Sequence, residues 1–76
     1  MHREVTLTQD VRCLRKVGAT LTFQGEFFRA GSVHTVSPPE KLQFDHRLQS
    51  VVSCSFGGQT IYLLVSEINE PGLVSE

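Results

Sequence analysis

The stretch 49–66, QSVVSCSFGGQTIYLLVS, constrains the fold more than any other part of the chain. Two β-type runs flank Gly57-Gly58, and a tight two-residue reversal needs the positive φ that glycine reaches at no steric cost. Such a turn sets Phe56 opposite Gln59, Cys54 opposite Ile61, Val52 opposite Leu63 and Ser50 opposite Val65. Side chains alternate between the faces of a strand, so Val52, Cys54, Phe56, Ile61, Leu63 and Val65 share one face, which reads as core. The other face mixes Val51, Tyr62 and Leu64 with Ser53, Ser55 and Thr60. The run 61–65 is therefore apolar on both faces. It needs cover twice, from neighbours at the centre of a sheet, from a helix, or from another subunit.

The rest of the chain supplies candidate partners. Residues 3–8 (REVTLT) alternate and read as a strand. Residues 8–17 admit two readings. Thr8 as N-cap, Asp10 in the first turn, Val11, Leu14 and Val17 at a spacing of three, Arg15 and Lys16 in the last turn and Gly18 as a stop favour a short helix. The rival is a strand with Val11, Cys13 and Arg15 on one face. Residues 19–23 and 26–29 read as a hairpin turning at Gln24-Gly25, with Leu21, Phe23 and Phe28 on one face and Phe27 stranded on the polar one. Residues 32–36 make another short strand. Pro38 and Pro39 break any central ladder. Residues 41–49 read as a strand followed by a turn at Asp45-His46, or as one loose helical turn. Asn69 to Gly72 ends the order, and 69–76 is expected to fray as a tail.

Seventy-six residues make one domain, 1–76, with a small core. The apolar share of 39% and charged share of 20% suit a globular chain rather than a disordered one. A net charge of −1 gives no global attraction for nucleic acid. Arg12, Arg15 and Lys16 do lie close together, whereas Glu67, Glu70 and Glu76 end the chain with no base after Arg47. The opening MHREVTLTQD has no apolar signal-peptide core, no run approaches membrane-spanning length, and Met1-His2 excludes N-myristoylation. These features lead to the expectation of a cytoplasmic protein with reduced thiols and no membrane partner.

Chemistry-bearing residues are sparse. Cys13 and Cys54 read as structural thiols, with a disulfide as the alternative in an oxidising compartment. Cys13, His34, His46 and Cys54 are zinc-ligand types, but no two are two to five residues apart, so no metal is expected. Glu26, Glu40 and Asp45 share no face, which leaves acid–base catalysis unsupported. Ser50, Ser53 and Ser55 alternate as strand serines do, without a nucleophile elbow. Phosphate-loop and zincin motifs are absent, so neither a cofactor nor catalysis is expected.

The reading of fold class is mainly β (α+β): a small antiparallel, strongly curved sheet, or an SH3/Sm-like barrel of about five strands, with one short N-terminal helix. That architecture resembles Sm-like and SH3-like barrels. FQGEFF (23–28) and LQSVVSC (48–54) are faintly similar to a Greek-key motif of the βγ-crystallins, without its leading aromatic or its acidic calcium pattern. Neither likeness carries a residue across, and no family is assigned. The functional expectation is a non-enzymatic interaction module or regulator that binds a protein partner or forms a homo-oligomer through Phe27, Arg29, Val51, Tyr62 and Leu64. The alternative is a nucleic-acid-binding regulator using Arg12, Arg15, Lys16 and Arg29, with aromatics as stacking platforms.

Overall fold

A computed structural model describes residues 3–68. Seven strands run in the order β1 (Arg3–Thr6), β2 (Val11–Val17), β3 (Thr20–Phe28), β4 (Val33–Val36), β5 (Glu40–Phe44), β6 (Arg47–Phe56) and β7 (Gln59–Leu64), followed by a single-turn helix α1 (Val65–Ile68). The chain is mainly β, with strands in two sheets. The expected tail at 69–76 lies outside the described residues.

The β6–β7 hairpin forms in the register its Gly57-Gly58 turn dictates. Phe56 pairs with Gln59, Cys54 with Ile61 and Val52 with Leu63, and both glycines take positive φ, 61° and 78°. The ladder ends at Val51 with Leu64, because Val65 turns into α1 instead of facing Ser50. The Asp45-His46 turn is also present. Both residues have positive φ, 56° and 69°, and Phe44 pairs with Arg47 across them. Two successive positive φ values match the twist of the flanking strands, which is what a two-residue hairpin turn needs.

The expected N-terminal helix is not formed: Val11–Val17 is strand β2. A ten-residue helix is marginal unless packing holds it, and two of its terminal signals, Asp10 and Gly18, are used otherwise. Asp10 Oδ1 accepts from Ala30 N at 2.9 Å, tying the bend before β2 to the turn after β3. Gly18, at φ 63°, makes the β2–β3 reversal, with Val17 paired to Thr20. Gln24-Gly25 is likewise no hairpin. It lies inside the nine-residue β3, where Gln24, Gly25 and Glu26 oppose Cys13 alone, between the pairs Arg12–Phe27 and Leu14–Phe23. Gly25, at φ 91°, absorbs this bulge.

Pairing runs β2–β3–β5–β6–β7 and returns to β2. Two junctions of this ring rest on one residue pair each, the parallel Thr20–Gln43 and the antiparallel Leu14–Tyr62. All five strands of the ring supply Leu14, Leu21, Leu42, Phe44, Val51, Tyr62 and Leu64 to a small cluster inside it. On the outer face of β6–β7 a larger cluster gathers Val52, Cys54, Ile61 and Leu63 with Val5, Leu7, Val36, Val65 and Ile68. The separate β1–β4 ribbon and α1 thus cover that face, with Val11, Cys13 and Phe28 closing its side.

Two expected partner residues, Val51 and Leu64, are therefore interior, at 0% and 3% exposure. The ring curls over the face they occupy, so it is not free surface. Leu64→Ala should lower unfolding free energy by about 2–5 kcal/mol, as for other buried leucines. Urea denaturation checks this, and a change below about 0.5 kcal/mol would place Leu64 outside the core.

Candidate functional site: an aromatic cleft beside the hairpin turn

The bulge in β3 and the tip of the β6–β7 hairpin leave a gap at one end of the outer cluster. The cleft has a volume of about 500 Å³, with Cys13, Phe28 and Ile61 at its floor and Phe27, Phe56 and the Arg15–Glu26 ion pair among its walls. Phe27 is 53% exposed and Phe56 61%. Phe56 sits edge-on to the buried Phe28, with ring centroids 5.2 Å apart. Phe27 meets Phe23 in the same manner at 5.3 Å, and Phe23 is itself 38% exposed. Two largely bare phenylalanines, Phe27 and Phe56, thus border the opening, and Phe23 stands against Phe27.

Alternation puts Phe56 on the core face of its hairpin, and Phe23 on one face with Leu21 and Phe28. Phe56 stands where its strand turns, next to Gly57, and the bulge at Gly25 breaks up the face expected for Phe23, leaving Leu21 in the inner cluster, Phe28 in the outer one and Phe23 against Phe27. Interior packing does not extend to those positions. For Phe56, an aromatic abutting a glycine at a strand end was the available signal. Of the residues expected to bind a partner, Phe27 and Arg29 are exposed, Tyr62 is half-buried against the inner cluster, and Val51 and Leu64 are interior.

The basic residues have separate fates. Arg12 places its guanidinium over Phe23 and Phe44, at 5.7 and 5.2 Å from the ring centroids, and pairs with Glu67 of α1 at 2.6 Å. It packs as a lid on the inner cluster, where an aromatic face attracts a cation. Gln9 Nε2 adds a bond to the Glu67 carbonyl at 2.8 Å. Arg15 pairs with Glu26 at 2.7 Å across the bulge. Lys16 and Arg29 are exposed.

Both thiols are free and buried in the outer cluster. Burial pushes Cys13 upward, with the Glu26 charge adding to this and Arg15 opposing it. Burial, then Cys13, pushes Cys54 from 9.0 to about 11. A thiol nucleophile needs the opposite shift. His34 stacks on Phe28 at 4.0 Å, and burial lowers its pKa. Ser32 Oγ donates to the Arg29 carbonyl at 2.6 Å, which leaves its lone pair to accept from His34 Nε2–H at 2.9 Å. His46 lies apart in the β5–β6 turn.

No protein-family model matches the chain, and neither a curated protein nor a solved structure is found to match it.

Two measurements check these environments. At pH 8 the rise to about 11 makes the Cys54 thiolate about 100-fold scarcer than that of an ordinary thiol. Iodoacetamide should label it slowly in the native protein and readily in urea; fast native labelling would contradict its burial. By linkage, a raised thiol pKa gives stability that is full below the unfolded value of 9.0 and is lost as pH climbs through about 11. The lowered His34 pKa acts at the acid end. Its contribution is present above the unfolded value of 6.5 and is lost as pH falls through the lower folded value. His34→Phe, which keeps the stacking, should flatten the decline of the urea midpoint below pH 6.5; an unchanged decline would assign it to other groups.

Proposed function

We propose that this protein is a non-catalytic binding module that takes a protein partner, or a second copy of itself, in the cleft between the β3 bulge and the β6–β7 turn. The observation that carries the reading is the placement of Phe27 and Phe56 at that opening with their rings more than half bare, Phe23 packing edge-on to Phe27. Aromatic anchors beside a polar rim are the usual composition of a protein interface, and the Arg15–Glu26 pair with Gln59 supplies the rim. Protonated, buried thiols support a role without covalent catalysis. A cytoplasmic setting, where thiols stay reduced, belongs to the same proposal. So does a reading of the five-strand ring as a small barrel of the SH3-like or Sm-like kind. The cyclic pairing order supports it, and the two single-pair junctions weigh against it.

The nucleic-acid reading has less support, since Arg12 and Arg15 already hold carboxylates, and of that set only the exposed Lys16 and Arg29 lack a carboxylate partner among the described residues. It would gain from any co-purifying RNA whose retention falls steeply with salt.

Native mass of gently purified protein, alone and as Phe27→Ala and Phe56→Ala variants, tests the proposal. Each variant should weaken the complex roughly 10- to 100-fold, the range of an interface hot spot. Each should shift folding stability by only about 1 kcal/mol, because the rings are half bare. Unchanged association in both variants would remove the cleft as the binding site.

A further inference from the structure

β4 and β6 face each other edge to edge and are joined at one end only. Ser37 N donates to the Ser53 carbonyl at 2.9 Å, Ser53 N donates to Ser37 Oγ at 3.0 Å, and the two hydroxyls meet at 2.8 Å. In a strand the backbone N–H and C=O of alternate residues point to the same edge. Since Ser37 and Ser53 address each other, Val33 and Thr35 on β4 and Ser55 on β6 aim their backbone groups into the same gap. Along their opposite edges both strands are occupied, β4 by β1 and β6 by β7. Among the described residues no ladder and no backbone hydrogen bond joins Val33 or Thr35 to Ser55. The pairing begun at Ser37 and Ser53 stops after one step, and the two edges part around a cleft of about 520 Å³.

The geometry points to a slot for one extended segment of a partner protein. Inserted between β4 and β6, it would join the β1–β4 ribbon and the β6–β7 hairpin into one sheet. Unpaired strand edges are satisfied by another extended backbone, which is the basis of recognition by strand addition. Because two edges face the gap, the occupant needs both of its own edges free. Every described strand of this chain is paired along at least one edge, so none of them in a second copy meets that condition. The lining also selects. Among the described residues no Asp, Glu, Lys or Arg side chain borders the gap. Cys54 and the half-buried His34 lie on the core side together with Phe56, while Thr35, Ser55 and Thr60 lie on the solvent side. The occupant is therefore an uncharged strand with apolar residues alternating toward Cys54, His34 and Phe56, and small polar or β-branched residues between them.

This slot is separate from the aromatic cleft, sharing only Phe56 with it, and does not depend on Phe27. The test uses the full chain, ¹⁵N-labelled, with a capped heptapeptide alternating threonine and valine as probe. A second peptide of the same sequence, N-methylated at alternate residues, keeps the side chains and loses the donors along one edge. The heptapeptide should move the amide resonances of Val33, Thr35 and Ser55 and slow their hydrogen exchange roughly tenfold. It should do so equally in Phe27→Ala, and the methylated peptide should do neither. The inference is overturned by any of four results: no response at millimolar peptide, an equal response to the methylated peptide, Thr35 and Ser55 amides already protected in the free monomer, or protection that rises with protein concentration alone.

Discussion

The β6–β7 hairpin presents apolar side chains on both faces, and the rest of the fold is the cover that this demands. Hydrogen bonding between two strands satisfies their backbone but leaves Val51 and Leu64 on one side, and Val52, Ile61 and Leu63 on the other, in need of neighbours. The chain meets the demand by dividing its remaining strands. β2, β3 and β5 curl round to enclose one face, and the β1–β4 ribbon with α1 lies over the other. The result is two small clusters in place of one larger core.

Dividing the cover has consequences at the ends of the strands. A small cluster has little depth, so aromatic side chains at strand ends reach past it. Phe56 leans on Phe28 with most of its ring bare, and Phe27 and Phe23 lean on each other. Arg12 closes the inner cluster where an apolar side chain could have stood, and Glu67 neutralises it there. The short α1 turn therefore does two jobs, burying Val65 and Ile68 in the outer cluster and fixing Arg12 over the inner one. The same division leaves the edges of β4 and β6 incompletely zipped, because each is committed on its far side to a different sheet.

How far the sequence was legible depends on the range of the interaction involved. The hairpin register, the Asp45-His46 reversal and the strands at 3–6 and 33–36 rest on two-residue turn geometry and period-two alternation, which are local. The segment 8–17 reads as a helix because Thr8, Asp10 and Gly18 resemble caps. Asp10 and Gly18 are instead used by a contact and a turn, and Asp10 reaches a partner 20 residues away. Gly25 signalled positive φ correctly, but that conformation serves a bulge as well as a hairpin, and only the pairing of β3 with β2 separates the two. The basic cluster was visible as composition, whereas the partners of Arg12 and Arg15 were not, since Glu67 and Glu26 are brought in by folding.

Sequence alone determined that this chain is mainly β, that it turns at Gly57-Gly58, and that its central strand must be covered twice, because alternation and glycine φ act between adjacent residues. Only the tertiary structure decided what provides the cover. Whether Val51 and Leu64 meet a partner or the inside of a ring depends on the cumulative twist and bulging of several strands. Whether Phe23 and Phe56 are core or surface depends on where each cluster runs out. Both are outcomes of long-range closure, to which no single residue pattern commits the chain.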